Sequence, residues 1–170
     1  RSMKGNTDHG DILDYMGYCL MEQDQQHDAM ESFETALTIH KQAKDQNKER
    51  RTLIQISKVY DHFEELPKSL IVSERVRQIS QELKEKQDEC KDIITIGKIN
   101  LKMDEYHRAM GYFEEALKLA KETKNHLEEG NCLWNISKTL HFLTDNSQAI
   151  QKGKQAIRIM TKTKNPEVKK

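Results

Sequence analysis

The side chains able to do chemistry are scattered along the chain. Seven histidines (His9, His27, His40, His62, His107, His126, His141) and three cysteines (Cys19, Cys90, Cys132) supply its nucleophiles, bases and soft metal ligands. A zinc site needs spaced ligands on one face, and neither HExxH nor an i, i+4 pair of His with His or Cys occurs. No GxxxxGK[ST], GxGxxG or GxSxG string is present for phosphate cradling or acyl transfer. Cys132 with His126 or His141 is the one nucleophile–base pairing to weigh. Nothing supplies an oxyanion hole, so scatter along helices is the simpler reading. The sequence therefore predicts no enzyme, no catalytic residue, no metal and no cofactor. What does have spacing is a column of cations: Lys58, Lys98 and Lys138, each 40 residues apart. Their chemistry is charge recognition of carboxylates, and regular spacing demands a regular scaffold.

That scaffold is a repeat. Gly17, Ser57, Gly97 and Ser137 are separated by steps of 40, for example 57 minus 17. Ahead of them run Leu13, Leu53, Ile93, Leu133 and Met16, Ile56, Ile96, Ile136. After them come Ala29, Ser69, Ala109, Ala149, then Met30, Leu70, Met110, Ile150, then Ala36, Val76, Ala116, Ala156. Six columns keep one register without a gap, which marks a stacked-repeat architecture. A second layer doubles the period to 80. Copies one and three share Gly17/Gly97 and Phe33/Phe113, while two and four share Ile-Ser-Lys at 56–58 and 136–138.

Each copy reads as two helices. In the third, Ile93, Ile96, Gly97 and Asn100 fall on one helical face, and Ala109, Met110, Phe113, Ala116, Leu117 and Ala120 form the stripe of a second helix. Small residues at 97, 109 and 116 allow close approach while Phe113 fills the adjacent space. The spacing predicts helices over 10–23, 27–44, 48–64, 67–86, 88–103, 106–123, 127–143 and 146–163. Pro67 sits at a first turn, and Asp24, Asp104 and Asp145 or Asn146 are expected as N-caps. Residues 1–9 are read as a cloning scar (Arg1-Ser2-Met3) and disordered lead, and 164–170 as a frayed basic tail. The array occupies 10–163, with repeats at about 10–47, 48–87, 88–126 and 127–163.

Bulk properties agree. Charged residues make up 33% of the chain and hydrophobic ones 35%, and mean hydropathy is −0.89. A chain this polar folds by burying a narrow stripe on each of many helices. Twenty-eight basic and 28 acidic residues balance, so a nucleic-acid partner is not expected. No run of 18 apolar residues offers a membrane span. An odd, sparse cysteine set without CxxC fits reduced thiols and a cytoplasmic setting.

Leu13-x-x-Met16-Gly17-x-x-Leu20 followed by Ala29-x-x-x-Phe33-x-x-Ala36 resembles the tetratricopeptide repeat signature. Ile93-x-x-Ile96-Gly97 followed by Ala109-x-x-x-Phe113-x-x-Ala116 matches it equally well. The even copies depart from it, with Ser57 and Ser137 for the glycine and Ser73 and Gly153 for the aromatic, and the usual proline late in the second helix is absent from all four. The repeat is also 40 residues long where the ordinary one is 34, a form similar to kinesin light chains, the mitotic-spindle Leu-Gly-Asn repeat protein and bacterial peptide-sensing regulators. The resemblance implies an all-α fold: an α–α superhelix, or tetratricopeptide solenoid, of four helix-turn-helix repeats and eight helices. In that family the first helix of each repeat lines a concave groove that binds protein segments. Carried over by column, the groove comprises Tyr18, Arg51, Ile54, Gln55, Lys58, Lys91, Ile94, Lys98, Asn131, Trp134, Asn135 and Lys138. Such a surface suits an acidic, partly apolar segment of another protein, making the chain a scaffold or adaptor. Three alternatives stand beside it. The lysine column is then only a solvated face, or Trp134 packs under a further repeat, or the array is a ligand- or peptide-sensing regulator of an appended domain. Self-association through the end near Ile150, Ile157 and Met160 is a further expected partner mode. The family's carboxylate clamp is not supported, because Asp14 and Tyr18 stand where it needs Lys and Asn.

Overall fold

The computed structural model describes the backbone of residues 2–164 and the side chains of 8–163. Eight helices follow one another among the described residues: α1 (Ser2–Glu22), α2 (Gln26–Gln42), α3 (Gln46–His62), α4 (Leu66–Glu82), α5 (Lys86–Lys102), α6 (Tyr106–Glu122), α7 (His126–Phe142) and α8 (Asn146–Lys164). All eight expected helices are present. The first begins at Ser2 rather than 10, so the segment expected as a disordered lead continues α1. The expected frayed tail lies outside the described residues beyond Lys164. No described helix is long and apolar enough to cross a membrane.

The punctuation is stricter than the columns foretell. Every connection is three residues long and carries a left-handed residue at its centre: Asp24, Lys44, Glu64, Lys84, Asp104, Lys124 and Thr144, with φ from 53° to 65°. They recur every 20 residues. After each, the next N–H returns to the helix behind it, as in Gln25 to the Leu20 carbonyl (3.0 Å) and Asp45 to His40 (3.1 Å). This closes the last helical turn as a Schellman motif, usually with glycine at the left-handed position. Asp24 and Asp104 are therefore not the N-caps expected of them; they sit one residue too early. The caps are the next residues. Asp45 accepts from the Lys48 N–H (3.1 Å), Asn125 from Glu128 (3.2 Å) and Asp145 from Gln148 (3.0 Å).

The chain divides into two compact units, Arg1–Ile79 and Ser80–Lys170. In the first, α1 packs on α2 and α2 on α3. Gly17 lies against Phe33, and a Cβ there would stand 2.8 Å from the ring. In the same unit Ser57 replaces glycine and Ser73 the aromatic. There Ser57 Oγ bonds Ser73 Oγ (2.6 Å) and Ser69 Oγ (3.1 Å), and the Ser69 hydroxyl donates to the Ser57 carbonyl (2.9 Å). Copy two thus holds its two helices by buried hydroxyls where copy one uses a ring over a glycine.

In the second unit α5 packs on α6, α6 on α7 and α7 on α8. Its core gathers Cys90, Ile93, Ile94, Ala109, Phe113, Ala116, Ala120, Cys132 and Ile136. Burying a ring the size of Phe113 stabilises by about 1.5–3 kcal/mol. Gly97 faces Phe113 with a would-be Cβ at 2.6 Å, and Gly130 admits Met160 at 2.8 Å. Ser137 donates to the Ala149 carbonyl (2.6 Å) beside Gly153, so copy four has no aromatic at this point.

Candidate protein-binding surface

The expected groove residues fall on α1, α3, α5 and α7, the first helices of the four hairpins, and each unit presents its own part. In the first unit Tyr18 is exposed, Lys58 is exposed, and Ile54 and Gln55 are half-buried. The Glu22 carboxylate beside Tyr18 holds its phenol above its ordinary value. Arg51 is not free to meet a ligand. Its guanidinium lies on the Asp11 carboxylate and reaches Asp14 at 3.3 Å. Asp11 also takes Lys48 Nζ at 2.7 Å. Burial pushes the Asp11 carboxyl up, but the hydrogen bonds and charges of Lys48 and Arg51 outweigh it and hold the group below its usual value. Burial opposes the charge on Arg51 too, and the bonds from Asp11 and Asp14 again prevail, raising it.

Beneath this pair lies a buried polar knot that sequence reasoning missed. Asp14, 8% exposed, accepts from Thr52 Oγ1 (2.7 Å) and pairs with His40 Nε2 (3.2 Å). His40 is fully buried, and the backbone at Gly10 comes so close that a Cβ there would stand 2.5 Å from Cε1. A signal was available: glycine at 10 and 130 faces the two large side chains of the column at 40 and 160. Asp11, Asp14 and His40 lie close enough to hold a metal ion, as do His27, Asp28 and Glu31 at the surface. Lys48 and Arg51 already neutralise the first group, so its chemistry is that of an internal ion pair joining α1, α2 and α3.

In the second unit the surface is Lys91, Lys98, Asn131, Trp134 and Lys138. Lys98 and Lys138 are exposed, and Lys91 is held by Asp88 at 3.0 Å. Asn131 donates to Glu128 (3.0 Å). Trp134 is 56% exposed. Two expected groove residues turn inward. Ile94 is only 4% exposed, within the apolar cluster that α5, α6 and α7 share. Asn135 is 6% exposed and its amide donates to the Asn131 carbonyl (2.8 Å), one turn back. Neither presents its side chain to a ligand.

The weighed nucleophile and bases are not brought together. Cys132 is fully buried beside Cys90, while His126 pairs with Glu129 (3.2 Å) and His141 with Asn146 (3.0 Å) at the surface. Hydrogen bonding with Cys90 and burial push the Cys132 thiol up, away from the thiolate.

Regular antiparallel hairpins, small-over-large helix contacts and no strand among the described residues define an α-helical repeat protein. A sequence profile described as tetratricopeptide repeat matches residues 92–162. Three solved structures share the fold. The Signal Transduction ATPase with Numerous Domains from Pyrococcus horikoshii, with its tetratricopeptide repeat sensor, is 18% identical with a TM-score of 0.87 over 94% of this chain and 25% of its own. The Podosopora anserina putative kinesin light chain repeats are 11% identical with a TM-score of 0.75 over 90% of this chain and 75% of theirs. A Rap protein complexed with Competence and Sporulation Factor is 13% identical with a TM-score of 0.78 over 94% of this chain and 45% of its own. No curated protein matches in sequence. Residues 92–162 thus match the tetratricopeptide repeat family, and the chain as a whole has the fold of tetratricopeptide-repeat arrays. It spans less than half the length of the first and third of these structures.

Proposed function

We propose that the chain is a non-catalytic interaction module that binds an acidic, partly apolar segment of a partner protein on the exposed faces of its first-of-pair helices. The observation that carries this is the placement of Lys58, Lys98 and Lys138, one repeat apart and all exposed. Exposed lysines over a repeat scaffold set approach rate and selectivity for a carboxylate-bearing partner. Trp134 and Tyr18 add exposed aromatic area of the kind that dominates binding energy. Arg51, tied to Asp11 and Asp14, serves the scaffold instead. The family is in general an interaction scaffold, and one structure of the same fold holds a bound factor. Cys90 and Cys132 lie unbridged side by side, which suits a reducing, cytoplasmic compartment.

The test is partner capture by wild type against the combined Lys58→Glu, Lys98→Glu, Lys138→Glu variant. The variant loses the partner, and the loss in wild type grows with salt. Unchanged recovery removes these lysines from recognition. A sensing role within a larger regulator is the second reading, favoured by the likeness to a tetratricopeptide sensor of which this chain covers a quarter. A full-length parent bearing an effector domain would support it.

A further inference from the structure

The hairpin of α7 and α8 leaves a cleft of about 490 Å³, lined among others by Trp134, Ile150, Gly153 and Ile157. The three large residues are 56%, 60% and 66% exposed. One repeat earlier the same positions are Ile94, Met110, Phe113 and Leu117; Ile94 and Phe113 are buried in the core of the second unit, and Met110 and Leu117 pack against it, partly buried. There the neighbouring helix α7 supplies Cys132 and Ile136 to that core and packs a partly buried Leu140 against it. These three are spaced i, i+4, i+8, one stripe of a helix. The cleft on α7–α8 is therefore a helix seat whose geometry the protein has already used once, and Gly153 in place of the aromatic leaves it open.

The stripe it fits is also present. Ile12, Met16 and Leu20 stand 120 residues before Cys132, Ile136 and Leu140 and repeat their spacing. Ile12 is 59% and Met16 48% exposed, and Leu20 is half-buried. Charge favours the match. Residues 8–22 carry Asp8, Asp11, Asp14 and Glu22 and no Lys or Arg, whereas α8 carries Lys152, Lys154, Arg158, Lys162 and Lys164 and no Asp or Glu. Asp11 and Asp14 are partly compensated by Lys48 and Arg51, so Asp8 and Glu22 contribute most. We propose that α1 of a second copy seats in the α7–α8 cleft of the first, head to tail, repeating the contact that α7 makes on α5 and α6. The two surfaces differ, so the contact is heterologous, and copies add as a ring or an open series. This does not depend on the lysine column.

The experiment is a mass measurement by light scattering from micromolar to millimolar protein. Met16→Asp blocks the head and Ile157→Asp the tail, both at exposed positions outside the core. Wild type is expected to gain mass with concentration, to a dimer or beyond, and to shrink in high salt. Each variant alone stays monomeric. A one-to-one mixture forms a heterodimer and stops there, because each member keeps one intact end; a misfolded variant would not rescue the other. A wild type monomeric at every concentration would overturn the proposal and leave the cleft to another protein's helix. So would a mixture that stays monomeric, or a single variant that still pairs with itself.

Discussion

Replacing Gly97 by alanine tests the packing on which the second unit rests. In a plain helix the change gains about 0.8–1.0 kcal/mol, because glycine is the poorer helix former. Here the new Cβ would stand 2.6, 2.9 and 3.0 Å from Phe113 Cε1, Cδ1 and Cζ. Phe113 is fully buried among Ile94, Ala109, Ala116 and Ile136, so the ring has no empty space to retreat into. Overpacking of this kind costs about 1–3 kcal/mol, and three ring atoms at or inside 3.0 Å place it at the upper end. The expected net loss is about 2 kcal/mol. Gly111 is the internal control. It lies inside α6, and a Cβ there meets nothing within 4 Å. Gly111→Ala should stabilise by about 1 kcal/mol, so the two alanines differ in sign. Urea unfolding followed by circular dichroism reads both as shifts of the midpoint. Combining Gly97→Ala with Phe113→Leu should cost less than the two single changes added, since the smaller side chain admits the methyl. The reasoning fails if Gly97→Ala is as stable as wild type, or if the double variant is strictly additive.

Lys124 adopts φ 53° without being glycine, so Lys124→Gly should raise stability by about 1 kcal/mol, and thermal melts showing no gain would refute the strain. Asp145→Ala removes the acceptor of the Gln148 N–H (3.0 Å); a loss of about 1 kcal/mol, with faster hydrogen exchange in the first turn of α8, is expected. Asp11 lies below its ordinary value in the folded state. It therefore stabilises above about pH 4, and this contribution fades as pH falls through the folded value. Asp11→Asn should accordingly flatten the acid limb of melting temperature against pH, and an unchanged limb would show that Lys48 and Arg51 do not couple to folding.

The fold was legible because the close contacts are made by residue types that betray themselves. Glycine at 17 and 97 opposite phenylalanine at 33 and 113 admits one reading, a ring against a bare helix backbone. The serine copies were harder. Ser57 and Ser73 look like decay of that pattern, yet they form a 2.6 Å bond that does the same joining. The 20-residue punctuation was invisible in type alone, because left-handed positions held by Asp, Lys, Glu and Thr lack the glycine that announces them. The polar set that follows them, with Asp45, Asn125 and Asp145 all multiples of 20 apart, carried the missed signal.

The surface was less legible, for a reason that separates two kinds of column. Lys58, Lys98 and Lys138 are exposed in all three copies that carry them because an ammonium is not buried without a partner. The column of Ile94 and Trp134 has no such constraint. Its exposure depends on whether another helix follows. At Ile94 α7 follows, and the side chain is buried to 4% exposure; at Trp134 no described helix follows, and it is 56% exposed. The same residue class in the same register is thus core in one repeat and surface in the next. Only the charged column reports a binding face directly, whereas the apolar column reports whether a described helix covers it. Trp134→Ala discriminates the two roles. If Trp134 belongs to the stacking column, its loss weakens association between copies and leaves recovery of an acidic partner intact.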